Sequence, residues 1–133
     1  MIMIRKKEIK DIDDIKLLVN SFYRKVRNDS FLSPILNGHI QDQWPQHLEK
    51  MYTFWQTVLL EDHTYFRSPF PPNAGLPIDE SHFSHWLALF TKTIEELFYG
   101  EKAEEALWRA NKMSQMFQMK LDQYRNQKIK SLV

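Results

Sequence analysis

An all-α fold is what this sequence predicts, on three observations. Apolar residues recur at helical spacing through four long stretches, and no stretch shows the strict alternation of a half-buried strand. The residues that break helices are concentrated: PFPPNAGLP, residues 69–77, holds four of the six prolines and one of only three glycines.

The first helix is predicted to start near Asp11, whose side chain can cap the free amides of a first turn. Ile12, Ile15, Val19, Phe22 and Val26 follow at spacings of 3, 4, 3 and 4, one inward face, and Tyr23 lies beside that stripe. Ser33-Pro34 marks a short connecting turn within the apolar run FLSPIL. A second helix reads from about Trp44 to Leu60, with Pro45 suited to a first turn. On it His47 heads an otherwise apolar stripe of Met51, Phe54, Trp55 and Val58. After the bend, Asp79 caps a long helix with Phe83, Trp86, Leu87, Phe90, Ile94 and Leu97 inward, which Gly100 is placed to end in a left-handed cap. A last helix runs from about Glu101 into the 120s, with Ala103, Ala106, Ala110, Met113, Phe117, Leu121 and Tyr124 inward.

At 133 residues the chain reads as a single domain, 1–133, with flexible ends at about 1–10 and 126–133. An aromatic share of 14% points to a core, or a pocket, built from large flat side chains. The net charge is +1, and the one basic bias, Arg125 to Lys130, is too short to read as a nucleic-acid surface. With no cysteine there is no disulfide, thiolate metal site or cysteine nucleophile. MIMIRKKEIKD carries charge where a signal peptide needs an apolar run, and no stretch has the length of a membrane span, so a cytoplasmic protein is expected. There is no nucleophile–base constellation, pair of catalytic carboxylates or phosphate-binding glycine loop, so no catalytic residue is assigned.

Spacing alone makes His47 a core histidine and makes Tyr23 and Trp86 core aromatics with a polar tip to satisfy. Asp79, His82 and His85 fall on roughly one helix face, where a carboxylate and two imidazoles can bind zinc or nickel weakly, although Asp79 is already accounted for as a cap.

Several strings in one order change that reading. FYRKVRNDSFLSPIL (22–36), WPQHLEKMYTFWQTVLL (44–60) and LPIDESHFSHWLALFTKTIEELFYGEKAEEALWRA (76–110), with a methionine-bearing final helix, resemble the group III truncated haemoglobins over roughly residues 11–120. The resemblance implies a truncated globin-like fold of two antiparallel helix pairs stacked across each other, with haem b between them and a diatomic gas, oxygen or nitric oxide, as ligand. It places Tyr23, His47 and Trp86 in the distal pocket, where a phenol, an imidazole and an indole converge on the bound ligand. Phe22, Met51, Phe54, Phe70, Leu76 and Phe83 are then expected to line the pocket.

One position departs from the pattern. The family's iron-binding histidine stands three residues before the leucine of LPI; here that residue is Asn73, and residues 64–81 contain no histidine. A neutral carboxamide is not among the usual protein ligands of haem iron. Three arrangements are then open: no haem, haem held through another axial group with His47 the leading candidate, or haem held by apolar burial and propionate contacts. The first would leave a haem-free sensor or interaction module. Nitric oxide dioxygenase or peroxidase-like turnover requires bound haem, with His47 as acid or base.

Overall fold

The computed structural model describes residues 5–61 and 78–132; the proline-rich bend, with His63, Phe70, Asn73 and Leu76, lies outside the described residues. Among those described, the helices are α1 (Ile12–Arg27), α2 (Ser33–Ile40), α3 (Trp44–Leu60), α4 (Glu80–Leu97) and α5 (Glu101–Leu132). The predicted all-α class holds: the described residues contain one isolated backbone bridge, Lys7 to Phe98, and no strand.

α1 begins as its sequence asks. Asp11 is extended and accepts the amide of Asp14, while the Asp14 carboxylate reaches back to the amides of Asp11 and Lys10. Asp14 is 4% exposed and its carboxylate also pairs with Lys7, so its burial is compensated on several sides. Ile15, Leu18, Val19, Phe22, Tyr23 and Val26 form the buried face.

The expected turn at Ser33-Pro34 is instead the start of an eight-residue helix, α2. Pro34 sits in its first turn, where no amide hydrogen is required, so the proline opens this helix. α3 has the predicted bounds, with Pro45 in its first turn and Glu61 left-handed at its end. α4 is capped by Asp79, and His82 completes the box by accepting the Asp79 amide on Nδ1.

Gly100 does not end α4. That helix stops at Leu97, because Phe98 turns extended and the flanking Leu97 carbonyl and Tyr99 amide both bond to Lys7, each at 3.1 Å. Gly100, at φ +98°, shapes the approach to α5, and a Cβ there would stand 3.2 Å from Glu8 Cγ. α5 runs beyond the 120s to Leu132, and Tyr124 on it is 45% exposed rather than inward.

Two helix hairpins cross. The late part of α1 meets the early part of α3 through Tyr23 and His47, and mid-helix Asn20 accepts the Tyr52 hydroxyl, so α1 and α3 run antiparallel. α4 and α5 also run antiparallel: Phe83 near the start of one faces Phe117 late in the other, and Arg125 donates to the Ile78 carbonyl at 2.6 Å. The hairpins meet where Phe22 of α1 packs edge-on against Trp86 and Phe90 of α4. Phe90, 1% exposed, is stacked between Trp55 of α3 and Trp86 at 5.0 and 5.9 Å. Ile9, 2% exposed, adds a stretch before α1 to this core.

Candidate functional site

The sequence-predicted distal residues gather at the crossing. Tyr23 and His47 touch directly, ring centroids 5.1 Å apart and planes at 89°. Trp86 joins through Phe22, whose ring lies edge-on to Tyr23 at 4.9 Å and to Trp86 at 5.5 Å. Each helix delivers its residue by phase: Tyr23 lies one residue past the α1 core stripe, His47 sits on the first turn of α3, and Trp86 lies one turn before Phe90 on α4.

Among the described residues, no hydrogen-bond partner is present for the Tyr23 hydroxyl, the His47 ring nitrogens or the Trp86 indole N–H; Tyr23 is buried, and His47 and Trp86 are half-buried. Burial sets their charge. The Tyr23 phenol is pushed well up and remains protonated. The His47 imidazole is pushed down to about 4, by burial first and then by the Lys50 and His39 charges. At neutral pH the cluster therefore presents a phenol O–H, an indole N–H and a neutral imidazole with one donor and one acceptor nitrogen.

The expected lining residues divide. Phe22 is in the cluster, and Phe54 packs edge-on against Trp55 at 5.2 Å. Met51 is partly buried against the same core. Phe83 belongs elsewhere, in a smaller cluster with Phe117 and Leu121 between α4 and α5. Phe70 and Leu76 lie outside the described residues, as does Asn73.

The other face considered for metal chemistry is differently committed. Asp79 and His82 are used by the α4 cap, and His85 Nε2 lies 2.6 Å from Asp29 Oδ1 at the α1–α2 corner. Phe31 stacks on His82 at 4.4 Å and meets His85 edge-on at 5.2 Å. No group of three or more His, Cys, Asp or Glu able to hold a metal ion occurs among the described residues. A groove of about 460 Å³ between Lys10, Gln56 and Lys102 lies at the opposite end of α1 and α3 and shares no residue with the ring cluster.

Sequence reasoning missed Trp44. Read only as the start of α3, it is 6% exposed and stands edge-on to both Tyr23 and His47 at 5.8 Å. The available signal was its position three residues before His47, one turn away on the same helix face.

No helix among the described residues is long and apolar enough to cross a membrane. No family model matches the chain. It is, however, 32% identical over 116 residues to the group 3 truncated hemoglobin of Campylobacter jejuni, spanning 84% of this chain and 91% of that protein. The crystal structure of the group III truncated hemoglobin from Campylobacter jejuni superposes with a TM-score of 0.78 at 31% identity, covering 88% of this chain and 95% of that one.

Proposed function

Because the chain belongs to the group III truncated haemoglobins, we propose that it holds haem b and a diatomic ligand, oxygen or nitric oxide, with Tyr23, His47 and Trp86 facing the ligand. When bound, haem supplies an iron that coordinates the gas. The chain's own residues supply donors to the partial negative charge on that ligand, the phenol O–H of Tyr23 and the indole N–H of Trp86, with neutral His47 adding one ring N–H. The observation that carries the reading is the convergence of these rings at the helix crossing, Tyr23 and His47 in direct contact at 5.1 Å and Trp86 joined to them through Phe22.

The donor set for the iron itself fits less well. His82 is held in the α4 cap, His85 is held by Asp29, and His39 is exposed on α2. The family resemblance sets the proximal position at Asn73. Among the described residues that leaves His47 as the candidate imidazole, and iron ligation by His47 competes with its role as a donor to the gas. A haem-free sensor or interaction module is the second reading, favoured by Asn73 and by the way Trp55 and Trp86 both already stack on Phe90. Peroxidase-like or nitric oxide dioxygenase turnover follows only from the first reading. In it His47, uncharged at neutral pH, serves as a proton acceptor.

Hemin titration separates the two readings. The haem reading expects a Soret band saturating at one hemin per chain, which shifts with carbon monoxide after reduction. A protein that stays folded and ignores hemin contradicts it. In the haem-loaded protein, Tyr23→Phe is expected to speed oxygen dissociation about tenfold, the loss of one charge-assisted hydrogen bond.

A further inference from the structure

Trp44, Tyr23 and His47 form a closed set of three rings. The centroid separations are 5.8 Å for Trp44–Tyr23, 5.8 Å for Trp44–His47 and 5.1 Å for Tyr23–His47, with interplanar angles of 68°, 88° and 89°. Rings packed edge-on in all three pairings behave like the walls of a box corner, since turning any one drives it into another.

Trp44 differs from its two neighbours in where its polar atom goes. Its indole N–H donates to Asn37 Oδ1 on α2 at 3.2 Å. Its face is covered from α1 by the Arg27 guanidinium at 4.6 Å. The one hydrogen-bonding group of the side chain is thus tied outside the pocket, and carbon is what it offers to Tyr23 and His47. Pro45 follows directly and fixes the entry into α3, so the Trp44 backbone is restrained as well. Three helices meet on this one indole.

We infer that Trp44 is a positioning residue: held by Asn37 and Arg27, its indole fixes the ring orientations of Tyr23 and His47, and with them the directions in which hydroxyl and imidazole meet a ligand. The functional half of this inference rests on the ligand-binding reading above; the geometric half does not. Trp44 touches neither ligand nor iron in this role. It supplies the wall that keeps the two polar side chains from turning to other partners, which is the preorganisation such donors need.

The test is nuclear magnetic resonance on the full-length, hemin-free protein, reading cross-relaxation between the His47 and Tyr23 ring protons. The parent is expected to show these contacts and ring-current-shifted His47 signals. Trp44→Phe keeps a ring but lacks the indole N–H that Asn37 holds, and is expected to weaken them. Trp44→Leu loses both, with helical content unchanged by circular dichroism. Asn37 is exposed, so Asn37→Ala leaves the fold intact whatever Trp44→Leu does, and it too is expected to lose the contacts as the indole turns free. Parent-like His47–Tyr23 contacts in folded Trp44→Leu or in Asn37→Ala would overturn the inference. Hemin uptake is recorded separately: intact ring contacts with no Soret band end the haem reading and leave the positioning role standing.

Discussion

Histidine is used in opposite ways at the two ends of the helix crossing. At the α3 end, His47 is half-buried, pushed down to about 4 by burial, and has no hydrogen-bond partner among the described residues. At the α4 end, His82 and His85 are each committed, one to the backbone of Asp79 and one to the carboxylate of Asp29. The same residue type is a structural fastener where a ring nitrogen is occupied, and in the proposed function it acts on a ligand where its nitrogens have no partner among the described residues. The comparison teaches that a histidine's role in this fold is decided by what its ring nitrogens already hold, and exposure alone does not decide it.

The largest effect is expected at the layer that separates the two ends. Phe90→Ala removes the ring between Trp55 and Trp86 and should cost about 3–5 kcal/mol in urea unfolding, disturbing both ends together. An effect below about 1 kcal/mol would mean that the two tryptophans are held independently.

The next effect sharpens the contrast at His47. Its folded value, about 4, lies below the ordinary histidine value near 6.5, so between these the unfolded chain binds more protons. Stability should therefore fall as pH drops from about 6.5 toward 4, by about 2 kcal/mol after allowance for the solvent around this half-buried ring. In His47→Phe that slope should shrink, as read from denaturant midpoints at pH 7 and 5. An unchanged slope places the proton uptake elsewhere.

The smallest effect belongs to the committed end. Asp29 accepts the amides of Phe31 and Leu32 as well as facing His85. Burial raises its carboxyl, but the His85 and backbone hydrogen bonds outweigh this and hold it below the usual carboxylate range. Its contribution is therefore present above about pH 4 and lost as pH falls through the folded value. Asp29→Ala should cost about 1 kcal/mol at pH 7, and less as pH falls below about 4.

Much of this arrangement was legible in the sequence where local rules act alone. Asp11, Trp44-Pro45 and Asp79 start their helices where capping and proline chemistry place them, whereas spacing alone made Tyr23 and His47 core residues and only the resemblance to the family brought them toward each other. α2 was not legible, since eight residues containing Pro34 and Gly38 are too few to display an amphipathic period. The end of α4 was misread because Phe98 is drawn extended by Lys7, a partner ninety-one positions earlier in the chain (98 − 7 = 91). The length of α5 did carry a signal: after Gly100 no glycine or proline remains to stop a helix. At the site, the unread features were long-range ones: the closure of Trp44 on two rings, and the pairing of His85 with Asp29 across 56 positions.

The central proposal is that Tyr23, His47 and Trp86 face a ligand while the residue that the resemblance sets at the iron, Asn73, is an amide. Its most direct test is the rate of hemin loss to an excess of a tighter-binding apoglobin, measured for the parent and for Asn73→His. An imidazole restored to the proximal position should slow that loss by at least about tenfold. Equal rates in the two proteins would contradict the claim, because they would mean that position 73 does not face the iron.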